Sequence, residues 1–393
     1  MGARRRTNQP PRPTSQLPHQ EGSWSTWTHP SIQNVFERRT TKPLPPWTEA
    51  FSLVSEFFAH EHQGFPCFHP PTFMSLLGQQ YSGTPSENSA WWASLNAVLA
   101  ISQRRRAEEA EDHSVDEGLA WCYAANALGA TLDILMRNTQ LLSVQALLSI
   151  AWFFIGTPNP QPSFMLVGSA LRLAHSIGLH TANPDSSSWS PIELEMRAKV
   201  FWISQCLDRK LCLQTGRPPA HDLHDFHVDV PGDSLDDSET LTAADGSKLN
   251  VFHAQTKLAV VQGCIYRLLH SSKASEVEAE YLVDTVSTLN RQLDDWCSSI
   301  APVFHPDQPL LDIKHHGLMR LYYSYYNCVI VVNRPHARHY WMPPNPESTI
   351  DASPDVKASI QQCLKAARSI VSLSQEIPRK WESLYWYVSS RPS

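Results

Sequence analysis

Glycine is scarce in this sequence of 393 residues, 15 in all, and its scarcity argues against chemistry that depends on it. Phosphate-cradling loops and tight β-turns need backbone at positive φ or in close approach, which glycine supplies at least steric cost. Neither Gly-x-Ser-x-Gly nor Gly-x-x-x-x-Gly-Lys occurs, so the serine-hydrolase and P-loop readings have no motif to stand on. Paired cysteines are missing too. The eight cysteines, at positions 67, 122, 206, 212, 264, 297, 328 and 363, include no Cys-x-x-Cys. Scattered through apolar stretches, they read as reduced packing residues of an intracellular protein and not as a disulfide framework. No Asn-x-Ser/Thr sequon and no signal-peptide pattern is present. The most apolar stretch, Leu141–Ile155, contains Ser143, Gln145 and Ser149 and falls short of the about 20 residues a membrane span needs. It is expected to be a buried helix in a soluble protein, with no membrane among the partners.

Proline, by contrast, is abundant, at 30 residues, and charge is unevenly placed. The formal net charge is −6, yet residues 1–46 hold Arg4, Arg5, Arg6, Arg12, Arg38, Arg39 and Lys42 against Glu21 and Glu37, a net of +5 that leaves −11 for the rest. An acidic body grips a phosphate backbone poorly, so any direct DNA contact is expected from the tail. With eight prolines and no helical periodicity, residues 1–46 are predicted to be a disordered, basic, Pro-rich tail. Arg4-Arg5-Arg6, with Arg38-Arg39 beyond, is a candidate nuclear-import signal or DNA arm; a plain solvated tail is the other reading.

From Trp47 the pattern is helix after helix, and the fold class predicted is all-α: a multi-helix array over residues 47–388 with a short tail at 389–393. Phe51, Val54, Phe57 and Phe58 share a first helical face; Trp91, Trp92, Leu95, Val98 and Leu99 share another, on a helix expected to fray at Arg104–Arg106 and Glu108–Asp112. Capping signals open helices at Ser114-Val-Asp-Glu117, ahead of Leu128, Leu132 and Leu135, and at Ser190-Pro191-Ile-Glu193, Ser275-Glu-Val-Glu278 and Ser353-Pro354-Asp355. Stops are expected at Gly156, Gly178, Gly216 and Pro335. No strand series is visible; Val228-Asp-Val230 is at most a short extended piece. The acidic segment 231–249 is expected to be a loop that divides the array into two lobes without making independent domains.

Residues 139–231 carry an ordered series. Ser143-Val-Gln145 precedes Gly168-Ser-Ala170-Leu-Arg172-Leu-Ala174-His-Ser-Ile-Gly178-Leu-His180; then come Glu193-Leu-Glu195-Met-Arg197 with Phe201-Trp202, Asp208-Arg209, and Gly216-Arg217-Pro218-Pro219. This series resembles the signature of the fungal-specific transcription factor domain, the middle homology region of fungal zinc-cluster regulators. Phe65-Pro66-Cys-Phe68-His69-Pro-Pro71-Thr72-Phe73 is similar to its opening motif, and Asn333-Arg334-Pro335 with the Cys363–Ile370 helix to its later part, so the resemblance covers residues 47–386. The signature also makes sense as packing. Glu193 and Arg197 are spaced for an i,i+4 ion pair, Val200, Phe201, Leu207 and Leu211 for a buried stripe beside Trp202, and Asp208 and Arg209 for pairs with neighbouring helices. Arg172, Gly178, Glu193, Arg197, Phe201, Trp202, Asp208, Arg209, Gly216, Arg217 and Pro218 are therefore expected to serve the fold and not a ligand.

Members of that family usually carry an N-terminal binuclear zinc cluster of six cysteines. Here the first cysteine is Cys67, inside the helical region, so no cofactor is expected, and zinc only with a cluster supplied upstream. The apolar run Trp381–Val388 ends five residues before the last residue; a reduced family member and a clipped chain both remain open. The resemblance implies a nuclear transcription regulator of a metabolic gene set, such as a secondary-metabolite one. The partners it implies are other regulators, DNA reached indirectly or through a missing N-terminal segment, and a small-molecule effector. The alternative is a DNA-independent cofactor or dominant-negative partner.

Three rival chemistries have some footing in the residues. His221, His224 and His227, in the run His221-Asp-Leu-His-Asp-Phe-His-Val-Asp229, are weak candidates for a metal site, in a segment where Pro218-Pro219 and Pro231 argue against a long helix. His60-Glu-His62 is not His-Glu-x-x-His. An all-α, magnesium-dependent enzyme would use Asp236-Asp237 and Asp294-Asp295, provided they converge on one cavity. Trp152-Phe-Phe154 and Tyr322-Tyr-Ser-Tyr-Tyr326 suit a ligand cavity or, more commonly, a core.

Overall fold

Apolar residues recurring at helical spacing can be buried only by packing helix against helix, and the computed structural model shows that arrangement. It describes residues 35–36 and 40–376 apart from 84, 110–112, 138, 182–188, 223–225, 234–239, 272–273, 275–278, 309–314 and 342–352. Among the described residues run α1 (Trp47–His60), α2 (Pro70–Tyr81), α3 (Ser89–Glu109), α4 (His113–Gly129), α5 (Thr131–Arg137), α6 (Leu141–Phe154), α7 (Gln161–Ser176) and α8 (Pro191–Thr215). After a short hairpin come α9 (Val251–Ile265), extended by a π-helical turn at Tyr266–His270, then α10 (Ala279–Ser298), α11 (His316–Trp341) and α12 (Pro354–Glu376).

The apolar Leu141–Ile155 stretch is a central helix, as expected: every α6 residue from Ser143 to Phe154 is buried. Of its buried polar side chains, Gln145 and Ser149 are hydrogen-bonded, as burial favours, whereas Ser143 Oγ has no hydrogen-bond partner. Ser149 Oγ donates to the Gln145 carbonyl at 2.8 Å, and Gln145 Nε2 to the Cys67 carbonyl at 2.6 Å. Around α6, helix α3 packs on α1, α4 and α6, and α7 packs on α6. The window Gly118–Arg137 is long and apolar enough to cross a membrane by composition. In the fold it is split between α4 and α5 and carries an Asp133–Arg137 ion pair at 3.3 Å.

Helix α8 joins the two halves, packing on α6 and α7 on one side and on α9 and α11 on the other. One hydrophobic cluster runs from Ala50 to Leu373. Both ends of α8 follow the sequence signals: the Ser190 hydroxyl accepts from the Glu193 amide at 3.2 Å, and Gly216 closes the helix at φ 68°. A Cβ there meets the following carbonyl. Gly216→Ala is therefore expected to lower the unfolding free energy by about 1–2 kcal/mol, and Gly216→Asn by less, both read from urea melts. Likewise, Ser353 Oγ accepts from the Val356 amide at 3.3 Å and opens α12.

Several expectations are corrected. Helix α3 does not fray at Arg104–Arg106 but continues to Glu109, because Arg106 finds partners on α1: Glu49, Glu56 at 2.7 Å and Ser52 at 2.7 Å. Pro335 does not stop a helix; it lies inside α11. Proline removes one i→i−4 bond, but α11 packs on α10 and α12 around it, and paired Asn290–Asn333 amides at 2.9 and 3.1 Å hold the preceding turn. Leu128, Leu132 and Leu135 do not share one helix as their spacing suggests: the chain breaks at Ala130 between α4 and α5, and these residues are 37–39% exposed. The acidic segment 231–249 is not all loop. Thr240–Thr242 (β1) and Lys248–Asn250 (β2) pair antiparallel, with Leu241 opposite Leu249 and Gly246 at φ 84° in the turn. The Asp245-Gly246 turn signal and flanking leucines were present in the sequence; the surrounding acidity masked them. Ser275–Glu278 and Trp381–Val388 lie outside the described residues.

Candidate functional site

The signature residues converge where α7, α8 and the returning segment 217–231 meet. Asp208 and Arg209 are each 3% exposed. The Asp208 carboxylate accepts from the Ala220 amide at 3.2 Å, and Arg209 Nη2 donates to the His221 carbonyl at 3.0 Å, with Arg209 Nη1 3.8 Å from Asp208 Oδ2. They grip the chain after Pro218-Pro219, and not charges on neighbouring helices as expected. Burial raises the Asp208 pKa to about 6, against the pull of Arg209 and the Ala220 amide. Arg197 Nη2 donates to the Ile177 carbonyl at 2.8 Å, and its guanidinium lies 4.5 Å from the Trp189 ring centre, so its contacts are not the Glu193 pair expected. The i,i+4 pair on this helix is Glu195–Lys199, at 2.6 Å.

Trp202 Nε1 donates to the Asp229 carbonyl at 2.8 Å, while the rings of Phe201 and Trp202 meet Phe226 edge-on at 5.1 and 5.8 Å. Arg217 Nη1 donates to Gln161 at 2.7 Å and stands over the Phe164 ring at 4.8 Å. Gly178 follows α7 at φ 73°, whereas Arg172 and Pro218 are exposed. Arg4, Arg5 and Arg6 lie outside the described residues.

The histidines are grouped differently from their spacing in sequence. His221 sits 2.8 Å from Gln205 Nε2, and its ring packs on His175, which in turn packs on His180, with centres 4.8 and 4.9 Å apart. His227 is exposed, bonding through its amide to the His180 carbonyl at 3.0 Å, and His224 lies outside the described residues. Among the described residues no group of three His, Cys, Asp or Glu is placed to hold a metal ion. Asp294 and Asp295 are exposed on α10, and Asp236-Asp237 lies outside the described residues.

What sequence reasoning missed lies in the centre. Glu61, 5% exposed just after α1, accepts from Arg320 Nη1 at 2.8 Å and from Trp152 Nε1 at 3.0 Å, with Arg105 Nη1 at 3.8 Å. Burial opposes its charge, but Arg320, His316 and Arg105 outweigh burial and hold the carboxyl well below the usual carboxylate range. Burial pushes the His315 pKa down to about 4 and that of His316 further still, with Arg320 adding to both. The Arg320 guanidinium also stands over the Trp152 ring, 4.7 Å from its centre. The one legible signal was Arg320 itself, a lone cation between Met319 and Leu321 in an apolar helix; its partner lies 259 residues away.

Beside this cluster a cavity opens between α6, α8, α9 and α11, lined by Trp152, Lys210, Gln255, Gln262, Arg320 and Ser324 among others. Of the two aromatic runs, Trp152-Phe-Phe154 and the α11 tyrosines are largely core. Phe65 stacks on Trp152 at 4.5 Å, and the Tyr322 and Tyr326 hydroxyls donate to the Phe304 and Pro306 carbonyls, each at 2.8 Å. Trp152 alone of the first run also lines the cavity.

Known proteins resemble this chain along most of its length. A family model described as the fungal specific transcription factor domain matches residues 54–298. The Fusaridione A cluster transcription factor of Fusarium heterosporum is 56% identical over 372 residues, covering 95% of this chain and 70% of that protein. An ABC-transporter-regulating transcription factor of Aspergillus fumigatus is 39% identical over 388 residues, covering 94% of this chain and 43% of that protein. Activator of stress genes 1 of Saccharomyces cerevisiae is 24% identical over 364 residues, covering 88% and 37%. The chain thus spans less than half the length of the last two. No solved structure matches it. With a family model matching residues 54–298 of a largely helical array, and with relatives that regulate transcription, the chain belongs to the fungal specific transcription factor domain family and is a regulator of transcription.

Proposed function

We propose that this chain controls a metabolic gene set, of the secondary-metabolite kind, from the nucleus, as a helical regulatory domain extending over residues 47–388. The observation that carries the reading is 56% identity over 95% of the chain with a cluster transcription factor. DNA targeting comes from a partner regulator or from a zinc cluster not contained in these residues; the sequence itself holds no Cys-x-x-Cys. Arg197, Trp202, Asp208, Arg209 and Arg217 serve the fold, in keeping with their bonds to backbone carbonyls, a backbone amide and Gln161. The domain has no catalytic role.

Deleting the gene in its host is expected to change transcripts of a contiguous biosynthetic set, measured by RNA sequencing; an unchanged transcriptome would overturn the reading. In an electrophoretic shift, the purified chain alone is expected to give no sequence-specific complex with promoters of those genes. A tight specific complex would sink the borrowed-targeting part and leave the regulatory part standing. Magnesium-dependent turnover of a prenyl diphosphate would instead establish an enzyme.

A further inference from the structure

We propose that the exposed outer face of α4 and α5 is the docking surface for residues 24–32 of this same chain. Gly118, Trp121, Ala125, Leu128, Leu132 and Leu135 are all exposed and follow one another at steps of three, four, three, four and three, the spacing that lines one side of a helical path. Ala130 separates the two helices, but its amide donates to the Ala127 carbonyl at 3.2 Å and its carbonyl accepts from Ile134 at 3.0 Å, so the chain winds on from α4 into α5 without a loop. Trp121 is 41% exposed, and Met136, one turn beyond Leu132, 63%. No charged residue occurs from Gly118 to Leu132. The first one, Asp133, is buried and paired with Arg137. A run of large apolar side chains at the surface, with no charge among them, marks a contact site.

The described chain itself leads to this face. Asn126 of α4, only 1% exposed, clamps the backbone ahead of α1. Its Oδ1 accepts from the Thr41 amide at 2.6 Å and the Lys42 amide at 3.3 Å, and its Nδ2 donates to the Lys42 carbonyl at 2.6 Å and to Asn96 Oδ1 at 2.9 Å. That uses all four hydrogen-bonding positions of an amide side chain. At the far end of α5 the Arg137 guanidinium stands 5.2 Å from the centre of the Phe36 ring. Extended chain from Phe36 to Lys42 spans up to about 20 Å, and helix from Asn126 to Arg137 about 16 Å. The two anchors therefore fit a strap laid along α5 and the end of α4. Beyond it, Tyr81 Oη donates to the Pro45 carbonyl at 2.6 Å and brings the strap to α1.

The residues just ahead of Phe36 match the face in chemistry. Residues 22–36 contain no Asp, Glu, Lys or Arg, although residues 1–46 hold seven Arg and Lys, and they include Trp24, Trp27 and Ile32. Pro30 favours an extended course for this stretch. Extended chain from Phe36 back to Trp27 covers up to about 30 Å, while helix from Arg137 back to Trp121 covers about 24 Å. Ile32 is thus within reach of Leu132 and Leu135, and Trp27 within reach of Leu128 and Trp121. A tethered segment also outcompetes a second copy of the chain, because a short tether gives it an effective concentration in the millimolar range. Docking has a consequence for charge. Arg38 and Arg39 lie between the anchors at Phe36 and Thr41, so they are held at the body, and DNA contact or nuclear import falls to Arg4-Arg5-Arg6.

The test is photo-crosslinking in the full chain, with p-benzoylphenylalanine in place of Leu132, whose side chain is 39% exposed. Irradiation is expected to give a cross-link at monomer mass that tandem mass spectrometry maps to residues 24–34. Trp24→Ser with Trp27→Ser in the same chain should lower its yield about tenfold or more, because both indoles lose their contact, and should leave the helical circular dichroism unchanged. The same group in place of Met136 repeats the experiment if the Leu132 variant does not fold. In place of Val371, 55% exposed on α12, it should give no link to residues 24–34. A link at dimer mass would assign the face to a second copy and overturn the proposal. So would a link to another part of the chain, an equal yield from Val371, a yield that survives the double tryptophan variant, or no link from either position in a folded protein.

Discussion

Replacing Glu61 by alanine is expected to lower the unfolding free energy by about 3–5 kcal/mol, the range for removing one partner of a buried ion pair. The magnitude follows from what is left behind. Arg320 is 7% exposed and bonded to Glu61 at 2.8 Å, and Trp152 Nε1, itself buried, donates to the same carboxylate oxygen at 3.0 Å. Without the carboxylate, a guanidinium and an indole N–H stay in a low-dielectric interior with a lost acceptor. Glu61→Gln keeps an acceptor for Trp152 and is expected to fall between wild type and alanine. The double variant Glu61→Leu with Arg320→Met removes both charges and should recover much of the loss, because an apolar pair of similar volume often replaces a buried ion pair at little cost. Urea unfolding of the four proteins, with the slope compared to confirm that the same surface is exposed, measures this directly. A loss below about 1 kcal/mol for Glu61→Ala, the scale of a surface pair, would show that water reaches the cluster.

Acidification from pH 6.5 to 4 is expected to destabilise the fold by several kcal/mol, before ordinary acid unfolding sets in. Burial lowers His62 and His315 to about 4 from 6.5, and His316 further. A histidine whose pKa is lower in the folded state is neutral there while its unfolded counterpart takes up a proton. Its contribution is therefore complete above pH 6.5 and is lost as pH falls toward the folded value. At about 1.4 kcal/mol per unit of separation, His62 and His315 each account for roughly 3 kcal/mol at pH 4. Asp208 works in the opposite sense. Its pKa is raised to about 6 from 3.8, so the cost of burying its charge is relieved over the same interval and offsets about one histidine. Below that range Glu61, held under its usual value of 4.5, begins to lose stability in turn. Unfolding free energies at pH 7, 6, 5 and 4 should show the fall, and His62→Phe should lessen it by about one histidine's share, roughly 3 kcal/mol, leaving that of His315 and His316. A flat profile through pH 5 would mean that these rings titrate as they do in the unfolded chain.

Local sequence determined a good deal about this protein. The Ser190-Pro191 start and Gly216 stop delimit α8, and the unbroken burial of α6 follows from its length and apolar content, because capping, left-handed turns and hydrophobic periodicity act within a few residues. The ordered series from Ser143 to Pro219 was enough to recognise the family. Tertiary structure decided what depends on partners distant in the chain. Arg106 keeps α3 helical only because Glu49 and Glu56 wait on α1; Pro335 stays inside α11 only because α10 and α12 flank it. His221 leaves His224 and His227 for His175. The central pair, Glu61 and Arg320, lies 259 residues apart, and no local spacing encodes it. Propensity and capping are near-neighbour energies, whereas the cost of burying a charge is set by whatever the whole fold brings beside it.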